Sequence, residues 1–421
     1  MVTLLKTENA NMKKNVPKIR FKGCQGEWES STFIGTFQFL KNNSLSRACL
    51  SDNGDVKNVH YGDVLIRFGE NLDVGKVALP YISDGSYGRV LAKRCSLQDG
   101  DVIIADAAED NTVGKATELM SVGNNTVVSG LHTITCRPTF TFESCYLGYY
   151  LNSNAYHNQL LPLIQGTKIC SISKHALEKT TVSYPPTLAE QRQIAAYFRS
   201  LDGILSGCES RLSSLRRLKE GALQAFFPQQ GETQPRIRFK GCKGEWERLP
   251  LSSIVTRVSD TGSSQSLPYV EFEDIVSGEG ILNKDIKDKK GIKIGNKFVA
   301  GDVLFGKLRP YLKNILLTNF TGVAVGDFWV LRPSGILPEI LYLLVSSNAF
   351  MEVANISSGS KMPRSDWKLV SNSQFNIPPT LTEQRLIANF FRTLDRRIEL
   401  ERQRFEKLKQ LKAACLEKMF V

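Results

Sequence analysis

Two stretches of the chain carry a long apolar stripe of the same kind. After Pro185-Pro186, apolar residues recur in steps of four and three at Ile194, Phe198, Leu201, Leu205, Cys208, Leu212 and Leu215, then at Ala222 and Phe226. After Pro378-Pro379 the same steps give Ile387, Phe391, Leu394, Ile398, Phe405, Leu408, Cys415 and Met419. This is the a and d spacing of a heptad repeat, and it predicts two long helices. Pro-Pro cannot sit in a helix interior and so marks each start. Thr187 and Thr380 stand at the cap position, with Glu190 and Glu383 three residues on, which is the capping-box spacing. Lys219 breaks the first stripe; Glu401 and Lys412 break the second. One such stripe is as well explained by a helix packed on its own domain. Two with one start signal and one register are better explained by helices that pack on each other. The expected contacts are Ile194, Phe198, Leu201, Leu205, Leu212 and Leu215 against Ile387, Phe391, Leu394, Ile398, Phe405 and Leu408.

The stripes belong to a longer repeat. Pro185-Pro186-Thr187-Leu188-Ala189-Glu190-Gln191-Arg192 returns 193 positions later as Pro378-Pro379-Thr380-Leu381-Thr382-Glu383-Gln384-Arg385. Pro17-Lys18-Ile19-Arg20-Phe21-Lys22-Gly23-Cys24-Gln25-Gly26-Glu27-Trp28 returns 218 positions later, from Pro235 to Trp246. Repeated units with a variable insert are what duplication and divergence leave, and the period is far too long for a solenoid. Between the markers, short β-type runs follow Gly-Asp turns, as in Gly62–Ile66, Gly100–Ile104 and Gly301–Phe305. Each segment then has an expected helix, Tyr146–Leu160 or Glu339–Ala354, and a glycine-bearing basic loop, residues 166–174 or 359–364. The middles of the two segments barely resemble each other. The expected plan is a lead-in over 1–16, a mixed α/β domain over 17–184, a long helix over 185–227, a linker over 228–234, a second α/β domain over 235–377 and a long helix over 378–421.

Composition narrows the class. At 421 residues two domains are the default, and 42% hydrophobic with 23% charged residues is ordinary for a globular chain. The net charge of +12 fits a polyanionic partner without identifying it. Nine cysteines without a CxxC pair, and a polar, lysine-bearing start, suggest a reduced cytoplasmic protein. No stretch approaches the roughly 20 apolar residues of a membrane span. Cys24 and Cys242, in matching places, read as small core residues rather than metal ligands.

Motifs for catalysis fail one by one. Tyr184-Pro185-Pro186-Thr187 and Ile377-Pro378-Pro379-Thr380 lack the Asn or Asp and the closing aromatic that an adenine methyltransferase loop needs. Gly69 to Lys76 has one residue too many for a phosphate loop and ends in Val77 where a hydroxyl is required. No HExxH occurs, and there are four histidines in all. The remaining signal is for binding. Lys307, Arg309 and Lys313 follow a strand with Tyr311 among them; Arg67 and Lys115 lie among glycines; Lys168, Lys174, Lys361 and Arg364 sit on the loops that close each segment. Such cations suit phosphate contacts, and arginine can also read guanine.

The paired Glu-Gln-Arg arms, the paired Phe-Lys-Gly-Cys-x-Gly-Glu-Trp openings and Gly301-Asp302-Val303-Leu304-Phe305-Gly306-Lys307-Leu308-Arg309-Pro310-Tyr311 resemble the specificity subunits of type I restriction–modification enzymes, over essentially the whole chain. The resemblance implies two mixed α/β target recognition domains separated by two long antiparallel coiled-coil helices, with a pseudo-two-fold internal repeat. Each domain would read one half of an asymmetric, split site on double-stranded DNA. Helices of about 40 residues span roughly 60 Å and would set the spacer. Two methyltransferase subunits carrying S-adenosylmethionine would dock, and motor-nuclease subunits using ATP and Mg would join them for restriction. This chain would bind no cofactor and catalyse nothing. A self-contained DNA-modifying enzyme and a scaffold that reads no DNA are the competing classes.

Overall fold

The structure, a computed structural model, describes residues 4–6, 15–229, 231–286, 289, 291–356 and 362–421. It divides into two units, Met1–Cys208 with Arg404–Val421, and Glu209–Gln403. Both are mixed α/β.

The first unit is built on a five-stranded sheet in the order 37–39, 133–138, 102–105, 116–120, 71–73, antiparallel except for its last pair. A four-stranded sheet lies in the order 126–129, 56–59, 81–82, 50–51. The second unit has a four-stranded antiparallel sheet, 255–258, 328–333, 303–306, 315–317, and another in the order 261–263, 294–298, 322–324, 269–270. In both units the marker segments meet. Glu29–Thr32 pairs antiparallel with Thr181–Tyr184, and Glu247–Pro250 pairs in the same way with Gln374–Ile377. Each repeated opening is therefore hydrogen-bonded to its own repeated closing, and the divergent middle is held between them.

Two Gly-Asp turns do the same work in the two sheets. Gly100 and Gly301 sit at φ of +84° and +92°, a conformation that glycine adopts without strain. The following carboxylates are fully buried, accept a backbone N–H three residues back, and take a bidentate arginine from the neighbouring strand. Asp101 holds Arg137 at 2.7 Å, and Asp302 holds Arg332 at 2.7–2.8 Å. Gly62–Ile66, expected as a third such strand, is helical over Tyr61–Ile66. Gly62 is not at positive φ; its N–H goes to the His60 ring, which caps the helix. Val64 is buried while Ile66 is 85% exposed, so the two do not share a face as strand residues would.

Each helix expected before the basic loop is two helices. Tyr146–Leu151 is followed by Asn154–Leu160, and Pro338–Ser346 by Asn348–Ala354. Ser153 and Ser347 make the breaks in extended conformation, and each hydroxyl donates 2.6 Å back to the preceding turn. A serine that bonds locally competes with helix continuation.

The long helices run Leu188–Phe226 and Leu381–Lys418. In the first unit the start of one packs on the end of the other: Tyr197 meets Cys415 at 3.3 Å, and Phe198 stacks on Phe420 at 5.7 Å. In the second unit the roles are exchanged, with Phe226 against Phe391 at 5.9 Å. Every stripe residue is buried or half-buried. The ends of the stripes also enter the domain cores. Ile194, Phe198, Cys415, Met419 and Phe420 join one core; Ala222, Phe226, Phe227, Ile387 and Phe391 join the other. The helices thus pack on each other and on the domain bodies at once. Cys24 and Cys242 are half-buried and do not belong to these cores. Each lies on a turn, its N–H bonded to the carbonyl of Phe21 or Phe239 at 3.2 Å.

Candidate functional site

The repeated motifs close on one another. Arg20 donates through Nε and Nη2 to the two carboxylate oxygens of Glu190 at 2.7 and 2.8 Å, and Trp28 Nε1 adds a bond of 3.3 Å. In the second unit Arg238 does the same to Glu383 at 2.6 and 2.8 Å, with Trp246 at 3.1 Å. A bidentate guanidinium–carboxylate pair fixes both groups in one plane, and burial strengthens it. The neighbouring glutamines brace the helix start. Gln191 donates to the Pro185 carbonyl and accepts from the Glu143 N–H, both at 3.0 Å; Gln384 bonds Pro378 and Leu337 at 3.0 and 2.9 Å. Thr187 and Thr380 do cap, accepting the Glu190 and Glu383 N–H groups at 3.4 and 3.2 Å. The glutamate side chains do not complete a capping box, because the opening arginine takes them.

The charges that interrupt the stripes are ion pairs between the helices. Lys219 meets Asp395 at 2.7 Å in the second unit. Lys412 meets Asp202 and Glu70, each at 2.7 Å, in the first. Glu401 receives Arg211 at 3.1 Å. Tyr149 donates to Asp202 at 2.7 Å. Burial pulls the Lys412 ammonium down, but Glu70 and Asp202 outweigh it and hold its pKa above the ordinary lysine value. In the second unit a cavity of about 480 Å³ lies beside the helices, lined by Arg216, Lys219, Glu279, Tyr342, Asp395 and Arg402 among others. Arg216 pairs with Glu279 at 2.8 Å there, and Leu343, Phe391 and Ile398 give the cavity an apolar wall. Among the described residues no group of His, Cys, Asp and Glu could hold a metal ion, and no helix is long and apolar enough to cross a membrane.

The expected DNA-binding cations fall into three situations. Arg309 and Lys313 both stand at positive φ, +50° and +51°, around a 3₁₀ turn that exposes Tyr311 (56%) and Leu312 (39%). Non-glycine residues in that conformation are uncommon and cluster at functional turns. Lys307 and Arg364 converge on Asp327 at 3.4 and 2.9 Å, and the Pro363 carbonyl accepts the Arg309 N–H at 2.8 Å, so the two basic segments form one surface. Burial raises Asp327, but Arg364 and Lys307 outweigh it and leave its carboxyl below the usual range. Lys361 lies outside the described residues. In the first unit Lys168 and Lys174 are exposed, and the Lys174 ammonium lies over the Phe39 ring at 5.4 Å. Arg67 is half-exposed and tied to buried Asp63 at 3.5 Å and to the Ala78 carbonyl. Lys115 is half-buried and donates to the Leu65 carbonyl at 2.8 Å; burial lowers its pKa. Its amine is committed to the fold, as the sequence alone did not reveal. The joints Arg20–Glu190 and Arg238–Glu383 were equally unforeseen, although both partners stand in repeated motifs.

The family model for the type I restriction modification DNA specificity domain matches residues 27–213 and 263–410. The type I restriction enzyme HindI specificity subunit of Haemophilus influenzae is 30% identical over 200 residues, covering 42% of this chain and 41% of that protein. The MjaVIII specificity subunit of Methanocaldococcus jannaschii is 23% identical over 279 residues, covering 59% of this chain and 63% of that protein. The chain thus spans less than two thirds of the length of either curated relative. The crystal structure of the type I restriction-modification S subunit from M. genitalium shares the fold with a TM-score of 0.56 at 14% identity, over 96% of this chain and 99% of that one. A structure described as the basis of complex assembly and conformational transition of the type I restriction–modification system gives 0.58 at 16% identity, over 93% and 97%. With two matched stretches that take in most of its length, the chain belongs to the type I restriction modification DNA specificity family.

Proposed function

We propose that this chain is the DNA-specificity subunit of a type I restriction–modification complex, each unit reading one half of a split site on double-stranded DNA. The observation that carries the reading is the contrast between frame and body. The frames are the same to the hydrogen bond: Arg20, Trp28, Glu190 and Gln191 have counterparts in Arg238, Trp246, Glu383 and Gln384. The bodies differ in strand order and in the cations they expose. One frame used twice suits one partner bound twice, a methyltransferase subunit; two bodies suit two DNA sequences. In this reading S-adenosylmethionine belongs to the methyltransferase subunits, ATP and Mg to motor-nuclease subunits, and the chemistry to both. The complex works in the cytoplasm, where the DNA is.

The test uses the chain assembled with its methyltransferase subunits and supplied with S-adenosylmethionine. Sequencing of methylated adenines in a host expressing the complex is expected to give a bipartite site with two unlike halves. Arg309→Ala is expected to relax the half read by the second unit by roughly tenfold or more and leave the other half intact. Equal loss at both halves contradicts the division of labour.

A further inference from the structure

The first unit carries a helix that has no counterpart among the described residues of the second. Gly85–Cys95 is capped by Asp84, whose carboxylate accepts the Ser86 and Tyr87 N–H groups at 2.9 and 3.0 Å. Its inner face is small and apolar: Gly88, Leu91 and Cys95 are buried, the latter two in one cluster with Val56, Ile82 and Val128 of the four-stranded sheet. The helix lies close on the sheet at Gly88, where an added Cβ would already stand in van der Waals contact with the Val56 side chain at 3.4 Å. Ser86, Tyr87, Arg89, Val90, Lys93 and Arg94 are all exposed, Tyr87 and Val90 at 44% each. In the second unit, among the described residues, the stretch between Pro250 and Pro310 has one α-helix, the four-residue Leu251–Ile254.

The outer face has an order. At about 100° per residue, Ser86, Val90 and Lys93 form a ridge opposite the buried side, while Arg89 and Arg94 flank it roughly 140° apart. Eleven residues give a rod of about 16 Å, and a B-DNA major groove about 12 Å wide admits a helix. A ridge of short or linear side chains between two arginines is the shape that such a groove calls for: base edges below, a phosphate strand on either side. The neighbouring acids do not oppose this. Asp84 is spent on the cap, and Asp55 pairs with Arg89 at 2.9 Å, an exposed contact that gives way readily to phosphate.

We propose that helix Gly85–Cys95 is the groove-entering element of the first unit, with Val90 and Lys93 reading base edges and Arg89 and Arg94 holding the two phosphate strands. This rests on the DNA-reading function proposed above and names the element and residues responsible for one half-site. Val90 offers an apolar contact for a thymine methyl, and Lys93 a donor for guanine O6 and N7.

The two roles separate in one experiment. The full-length chain is assembled with methyltransferase subunits, and randomised duplex DNA is selected for binding, with affinity followed against salt. Lys93→Ala and Val90→Ser are expected to relax base preference at one or two positions of a single half-site by roughly 5- to 150-fold, leaving the other half-site unchanged. Arg89→Ala and Arg94→Ala are expected to weaken binding about equally for all sequences and to reduce the salt slope by about one unit. All four substitutions are at exposed positions, and unchanged melting temperatures confirm folding. Unaltered preference in both Lys93→Ala and Val90→Ser, or loss of methyltransferase capture instead, overturns the assignment. A wild-type complex that selects no sequence overturns the parent reading, a distinct result.

Discussion

The environment of each charged residue decides how much it contributes. Arg20 and Glu190 are both nearly inaccessible, at 7% and 3% exposure, and their pairing includes two direct hydrogen bonds. Removing one partner leaves a buried charge unpaired, so Glu190→Ala is expected to cost about 3 kcal/mol. Arg192–Glu143, two positions along the same motif, has its arginine 67% exposed. Arg192→Ala should cost well under about 1 kcal/mol. Denaturant melts of the two variants check the contrast, and equal losses would remove the joint from its structural role. Glu118 is a second case. Its carboxylate accepts the N–H groups of Cys145 and Gly148 at 2.6 and 2.9 Å, yet burial dominates and pushes its pKa from 4.5 up to about 7. A carboxyl that binds its proton more tightly when folded stabilises the fold below about 4.5, and that stabilisation is lost as pH rises through about 7. The loss is on the order of 3 kcal/mol. Thermal melts from pH 4.5 to 8 should show the decline, and Glu118→Gln should flatten it.

At the scale of elements, the two long helices complete cores built mostly by other segments. Phe420 lies 5.7–6.2 Å from the rings of Trp28, Tyr146, Tyr150 and Phe198. Phe227, 193 positions earlier, meets Trp246 at 5.8 Å. Phe420→Ala is expected to cost about 3–5 kcal/mol, as large-to-small core changes do. Hydrogen exchange should quicken in Tyr146–Leu151 and leave Val303–Gly306 unchanged, with Phe227→Ala giving the converse. These helices were legible because a period of 3.5 residues over eleven turns is a strong signal and the chain states it twice. Their stripe breaks at Lys219 and Lys412 were legible as breaks, but not as ion pairs, since the acids that receive them lie 176 and 210 positions away (Asp395 and Asp202). The Tyr61–Ile66 helix was missed because six residues cannot show a period, and the sign of φ at Gly62, which separates it from the Gly100 and Gly301 turns, is not written in the sequence. Lys115 shows the limit for single cations. Nothing in its neighbours in sequence foretells the Leu65 carbonyl that holds its ammonium.

For the whole molecule, the consequence of duplication is that frame and body are separable. Each body enters and leaves through one antiparallel strand pair, Glu29–Thr32 with Thr181–Tyr184 or Glu247–Pro250 with Gln374–Ile377, and both pairs keep the same register over four residues. The divergent middles lie inside those strands, and the arginine–glutamate joints lie outside them. A body moved from one frame to the other therefore meets the same boundary hydrogen bonds, and its core loses no backbone pairing at the seam. If the bodies carry the sequence reading, a chain in which residues 251–373 replace residues 33–180 should fold, assemble with methyltransferase subunits, and direct methylation to a site whose two halves are copies of one sequence. Methylome sequencing of a host that carries the chimera gives the answer directly. A folded chimera that still methylates two unlike halves would place the sequence reading in the frames instead of the bodies.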